Sequence, residues 1–335
     1  MSEVDPVDLG VDLAPNNPRE LRLANPVIAA SGCFGYGLEY AGVMDVQRLG
    51  AFVSKGITPR PRSGNDMPRI TETAAGMLNA IGLQNPGIRG FAKKYPSIWA
   101  HWRVPAIVNI SAEAVEDYAM MAEILDELPG VAGIEVNVSC PNVARGGFCF
   151  GWDAAMSAEV TSAVRAVTTL PVIVKLSPGA LDIAAVAAAV EDAGADAVSL
   201  INTLVGMAID VRTRRPTLAN GTGGLSGPAI KPIALRMVYQ VAASVTIPVI
   251  GMGGIMGLDD ALEFVFAGAS AVQVGTAIFA QPGMLTRLID DLEAWCAREG
   301  VRSLAEVVGA AHGQRHGSAV DEDHVDLRLG AGAAG

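Results

Sequence analysis

Eight short runs of apolar, largely β-branched residues recur along this 335-residue chain, and longer stretches separate them. The runs are Val27–Ser31, Ala51–Ile57, Ala106–Ser111, Gly133–Ser139, Val172–Ser177, Ala197–Thr203, Pro248–Gly253 and Ala271–Gly275. Their apolar character is nearly unbroken rather than alternating, which predicts parallel strands buried on both faces. Between them the spacing predicts amphipathic helices over Ala114–Leu128, Ala155–Val167, Leu181–Ala193, Ala229–Ser244, Leu258–Phe266 and Met284–Arg298. Eight strands with intervening helices make an α/β chain a (β/α)8 TIM barrel more naturally than an open sheet. The doubly wound alternative would carry a Gly-rich fingerprint after its first strand, and that pattern is missing.

Three connections are long: Thr58–Tyr95, Pro141–Asp153 and Leu204–Gly227. All leave C-terminal strand ends, where barrels of this type place their active sites, so they read as binding elements. Asp8–Leu13 and Glu20–Leu23 are short strand-like pieces that suit an N-terminal hairpin over the barrel floor. Residues 1–311 are expected to form one domain, and 312–335, rich in Gly, Ala, Asp and His, a flexible C-terminal tail.

Composition excludes several classes. A net charge of −11 argues against a nucleic-acid binder, which needs a basic face. No apolar run reaches the roughly 18 residues of a membrane span. Met1–Pro15 is acidic and does not read as a signal peptide. The four cysteines, Cys33, Cys140, Cys149 and Cys296, form no Cys-x-x-Cys pair, which fits a reducing cytoplasm. An iron–sulfur cluster on this chain would consume all four of them.

Candidate chemistry gathers at the strand ends. Lysine is scarce, yet Lys55 closes one apolar run and Lys175 sits inside another. A lysine in a buried strand is costly unless it meets an anion or loses its proton. Either lysine suits a substrate carboxylate or the negative charge of a reduced flavin, and Lys175 would also suit a Schiff base. The four histidines fall outside the strands and their C-terminal loops, so a serine–histidine triad and a histidine-bound metal lack support. Acid–base work then falls on Cys140, in Asn137-Val138-Ser139-Cys140-Pro141-Asn142. A free thiol has a pKa of about 8.5, reachable when cations or N–H groups stabilise the thiolate. Cys33 reads equally well as a core residue. Amides recur as Asn79, Asn85, Asn109, Asn137, Asn142 and Asn202, and several at one barrel mouth suit a flat heterocycle. Gly251-Met252-Gly253-Gly254 and Gly275-Thr276 follow the seventh and eighth strands, where these barrels hold phosphate.

From about Ala24 to Val308 the chain resembles the class 1 dihydroorotate dehydrogenases, most closely the NAD-linked class 1B catalytic subunits. The likeness rests on Ala30-Ser31-Gly32-Cys33-Phe34-Gly35, the Gly76–Gly87 segment, Asn137–Asn142 with Gly146-Gly147, and Val174-Lys175-Leu176-Ser177-Pro178. It continues through Ile201-Asn202-Thr203, Gly223-Gly224-Leu225-Ser226-Gly227-Pro228 and Gly251–Gly254. The resemblance implies a flavoprotein oxidoreductase of pyrimidine biosynthesis. In it Cys140 takes the C5 proton of dihydroorotate while a hydride leaves C6 for N5 of FMN, with Lys175 and Lys55 also catalytic. It implies one FMN held by Ser31, Lys55, Gly56, Asn109, Asn137, Lys175, Ile201, Gly227, Gly253, Gly254, Gly275 and Thr276. Substrate contacts are implied at Lys55, Asn79, Ala80, Ile81, Gly82, Leu83, Asn137, Asn142, Asn202 and Thr203. Gly56 stands where many relatives have alanine.

The same likeness implies a homodimer core and a separate electron-transfer subunit carrying FAD and a 2Fe–2S cluster, together a heterotetramer that reduces NAD. A class 1A homodimer reducing fumarate is the alternative within the family. Outside it, a dihydrouridine synthase-like barrel conflicts with the acidic charge, and an aldolase-like barrel would purify colourless with Lys175 as nucleophile. A barrel serving only as a scaffold would ignore substitution of Cys140.

Overall fold

The apolar runs close on themselves. The computed structural model describes residues 7–139, 141–142 and 148–313, with the backbone alone at 141, 142 and 148. Its parallel strands are β1 Val27–Ala29, β2 Ala51–Val53, β3 Ala106–Ile110, β4 Gly133–Asn137, β5 Val172–Lys175, β6 Ala197–Leu200, β7 Val249–Met252 and β8 Ala271–Val274. Each pairs with the next in chain order, and β8 returns to β1 through Val272↔Val27, so no edge remains open.

Helices Val115–Asp126, Ala154–Arg165, Ile183–Asp192, Lys231–Ala242, Leu258–Phe266 and Met284–Glu299 form the outer layer, close to the predicted spans. Asp153 and Asp182 cap two of them by accepting from the N–H groups of Met156 and Ala185. Between β1 and β2 only two short 3-10 turns occur, Leu38–Tyr40 and Val46–Arg48. An aromatic cluster fills that sector: Phe52 meets Trp99 edge-on, and Tyr36 stacks on Tyr95 with centroids 4.0 Å apart.

Side chains alternate along each strand, and the alternation layers the interior. Outward residues such as Val108, Val136, Val174 and Val272 join the core beneath the helices. Inward, a lower layer contains Ile107, Ile173, Ala197, Ile250 and Ala271. Two residues further along the strands the interior turns polar: Asn109, Lys175, Ser199 and Gln273, level with Glu135. The predicted floor hairpin is present, with Val11–Asp12 antiparallel to Arg22–Leu23. Leu13, Leu21 and Leu23 pack against the lower layer and seal that end.

One prediction about the strands needs correction. The strands stop two to four residues short of several apolar runs, because the chain turns outward at the barrel mouth. Lys55 N–H donates to Gly35 O, and only an isolated bridge, Ile57↔Ile110, continues the β2 ladder. The long loops after β2 and β6 join over the barrel mouth. They form one four-stranded antiparallel roof in the order Leu204–Gly206, Gly223–Ser226, Gly76–Asn79 and Ile70–Thr73. At the C-terminus His312 stacks on Tyr239 at 3.9 Å, and the remainder of the expected tail, 314–335, lies outside the described residues.

Candidate active site

Between the barrel mouth and the roof lies a cavity of about 550 Å³, a size suited to a cofactor with a small substrate. Ser31, Lys55, Gly56, Asn79, Ala80, Ile81, Gly82, Leu83, Asn109, Asn137, Lys175, Ile201, Asn202, Thr203, Gly227, Gly253, Gly254, Gly275 and Thr276 all line it. These positions span nearly 250 residues of sequence, and the topology brings them together. Cys140 lies outside the described residues. Of Asn142 the backbone is described, in a short strand Pro141–Asn142 paired with Phe148–Cys149.

The amides are held by neighbours. Asn137 Nδ2 donates to Ser111 Oγ at 3.0 Å, and its Oδ1 accepts from Asn202 Nδ2 at 3.2 Å and from Ser139 N at 3.1 Å. The Asn137 carbonyl accepts from Tyr118 Oη at 2.7 Å. Asn79 Nδ2 donates to Gly224 O at 3.3 Å, which ties one roof strand to another. These bonds fix the amide planes before any ligand arrives.

Lys175 is buried, its Nζ 3.8 Å from a carboxylate oxygen of Glu135. Burial, then the Arg69 guanidinium, lowers the pKa of the half-buried Lys55, against the opposing pull of Glu39 and Cys33. Cys33 lines the cavity too, and burial pushes its thiol up to about 11 against Lys175 and Lys55. That thiol is protonated at neutral pH and unsuited to the work of a base.

Glycine allows close approach at the β7 end. Gly253 and Gly254 have φ of 128° and 78°, which L side chains rarely adopt. A Cβ on Gly254 would lie 2.8 Å from Lys231 Cβ and 2.9 Å from Gly227 O. Gly254→Ala is therefore expected to lower unfolding stability by more than about 1 kcal/mol, read as a shift in denaturant midpoint.

The cavity also meets a chemical requirement of a large polar cofactor. Buried Gln273 Oε1 and Ser139 Oγ have no hydrogen-bond partner among the described residues, and both residues line the cavity. Such atoms need a partner that the described residues do not provide. Together with the glycine backbone, the amides and the lysines, they fit FMN, whose ring edge, ribityl hydroxyls and phosphate ask for these groups.

The comparisons agree with that reading. The family model described as dihydroorotate dehydrogenase matches residues 15–295. The chain belongs to the dihydroorotate dehydrogenase family. Within the family it is 55% identical to the dihydroorotate dehydrogenase B (NAD(+)) catalytic subunit of Pelobacter propionicus over 304 residues, 90% of this chain and 98% of that protein. It is 54% identical to the protein of the same name from Trichlorobacter lovleyi over 293 residues, 88% and 96% of the two chains. The corresponding Geobacter metallireducens protein is 53% identical over 303 residues, again 90% and 98%. This dihydroorotate dehydrogenase family member is thus an enzyme of the class 1B type that its motifs resemble.

Sequence reasoning missed Glu135, Ser199 and Gln273 in the polar layer beneath the cavity. Their signal was available: each interrupts an apolar strand, the criterion that singled out Lys175. It also missed Ile70, Met77 and Phe279, apolar wall residues of the roof and rim, which carry no polar mark in the sequence.

Proposed function

We propose that the chain oxidises (S)-dihydroorotate to orotate in the cytoplasmic synthesis of pyrimidines, with one FMN in the cavity. The observation that carries this reading is the convergence of Lys55, Lys175, Asn79, Asn137 and Asn202 on one cavity that ends in the Gly253-Gly254 turn. When bound, FMN supplies a hydride acceptor at N5. Gly253, Gly254, Gly275 and Thr276 would hold its phosphate end, and Asn109 and Lys175 its ring. Asn79, Asn137 and Asn202 present amides for the flat pyrimidine edge, and Lys55 Nζ a cation for its carboxylate. Cys140 Sγ, one residue beyond the cavity-lining Ser139, would take the C5 proton. The roof lies over the cavity and would shield the reacting face from water.

Electrons are proposed to leave through a partner subunit bearing FAD and a 2Fe–2S cluster, and to reach NAD. The relatives' shared name, an NAD(+) enzyme's catalytic subunit, supports that division of labour. Among the described residues no cluster of His, Cys, Asp and Glu could hold a metal, and Cys33, Cys149 and Cys296 are free thiols. No helix of the described residues is long and apolar enough to cross a membrane. A homodimer core is supported by the strip Val205, Met207, Ile209 and Val211 beside the roof, exposed apolar side chains that a second copy would cover.

The deciding experiment is an anaerobic absorption spectrum of the purified chain before and after dihydroorotate. A flavin band that bleaches is the expected result, and a band that stays oxidised would overturn the substrate.

Lys55 supplies a separate check. With its pKa lowered it loses its charge below the ordinary lysine value of about 10.4, and an anionic ligand then loses its cation. Orotate affinity is expected to fall as pH rises, with its inflection below that value. Titration of the flavin absorbance with orotate from about pH 6 to about pH 10 reads this, and a flat profile would remove Lys55 as carboxylate partner.

A further inference from the structure

One carboxylate under the cavity gathers donors from four strands. Glu135 on β4 has no solvent exposure. Its Oε2 accepts from Asn109 Nδ2 at 2.7 Å and faces Lys175 Nζ at 3.8 Å. Its Oε1 accepts from Gln273 Nε2 at 2.8 Å and from Ser199 Oγ at 2.9 Å. An ionised carboxylate only accepts, so every neighbour must offer it a donor. An amide that points its NH2 group inward must point its carbonyl oxygen the other way. Gln273 Oε1 is a buried acceptor without a partner among the described residues, on a residue that lines the cavity. Asn109, with its NH2 group on Glu135, holds its Oδ1 on the side of Gly56, 2.9 Å from where a Cβ there would sit, and both residues line the cavity.

We propose that Glu135 is the positioning residue of this site. It turns the carbonyl oxygens of Gln273 and Asn109 toward the N–H and O–H donors of the bound cofactor, and it serves as counter-charge to Lys175. The proposal rests on FMN occupying the cavity. Glu135 acts only through these three side chains.

Glu135→Gln keeps the shape but brings an NH2 group into a ring made of donors. A neighbouring amide must then flip and offer the ligand a donor where it needs an acceptor. The charge facing Lys175 is also gone, which favours the negative charge that reduction adds to the flavin. FMN Kd, measured by fluorescence on reconstituted apoprotein, is expected to rise about tenfold or more. The flavin midpoint potential is expected to move upward. Glu135→Asp, which keeps the charge, is expected to hold the potential near that of the unaltered protein. Gln273→Met removes the outward acceptor and one donor to Glu135 but keeps the carboxylate and its charge, so it is expected to weaken FMN while leaving the potential near that of the unaltered protein, which keeps the test open should Glu135→Gln fail to fold. If the unaltered chain binds FMN while Glu135→Gln leaves Kd and potential unchanged, the positioning role is overturned and the cofactor reading survives. If the unaltered chain fails to bind FMN, both are overturned.

Discussion

Replacing Cys140 by serine is expected to leave FMN in place and to slow flavin reduction by dihydroorotate about 10²–10⁴-fold near neutral pH. The argument is one of supply. Among the described residues that line the cavity, lysines, amides and hydroxyls abound, and the other thiol, Cys33, is held protonated by burial up to about 11. None of these replaces a thiol whose ordinary pKa lies near 8.5. A serine hydroxyl is a far weaker acid, so the variant should recover part of its rate as pH rises and the hydroxyl is driven to ionise. Anaerobic stopped-flow absorbance across pH measures both effects. Flavin reduction at the unaltered rate would take the base role away from Cys140.

Lys175→Ala should act on the fold and the chemistry together. The lysine and Glu135 are both buried, so truncation strands a carboxylate beneath the cavity. Removing one partner of a buried pair costs about 3–5 kcal/mol, because the remaining charge has neither water nor counter-ion. The nearby cavity also loses a cation that the negative charge of a reduced ring would use. The expected outcome is a lower unfolding midpoint together with lost FMN or greatly slowed reduction. Denaturant titration and flavin content read the two separately. A variant with normal flavin content and rate would reduce Lys175 to a structural ion pair.

The barrel was legible because eight buried parallel strands leave eight dense apolar runs, a pattern that survives without knowledge of any partner. Strand ends were less legible. The run assigned to the second strand extends through Ser54-Lys55-Gly56-Ile57, but the strand itself ends at Val53, and Lys55 and Gly56 line the cavity instead. The roof was invisible for another reason: Gly76–Asn79 pairs with Gly223–Ser226, almost 150 positions away, and nothing local marks that register. Within the site, Lys55, Lys175, Asn137 and Asn202 announced themselves as polar residues in or beside apolar runs. Glu135 met the same test within Gly133-Ile134-Glu135-Val136 and was passed over, although its hydrogen bonds knit the polar layer together. Roles for Ala80, Ile81 and Gly82 came from motif likeness alone, because small apolar residues in a loop give no chemical sign of their own.

Closure of the barrel through β8 and β1 fixes an order in time. Val27–Ala29 is the first barrel strand in chain order, yet its partner Ala271–Val274 comes some 240 residues later. Throughout that interval the nascent sheet carries two unpaired edges, the kind of surface that invites wrong pairing. The last barrel strand also carries Gln273 and leads into Gly275 and Thr276, so the proposed flavin site could not fully grip its cofactor until that strand has been made. On the proposed function, cofactor capture and ring closure would fall at the same moment, and cells short of riboflavin should accumulate chains that carry all eight strands but are still vulnerable to proteolysis.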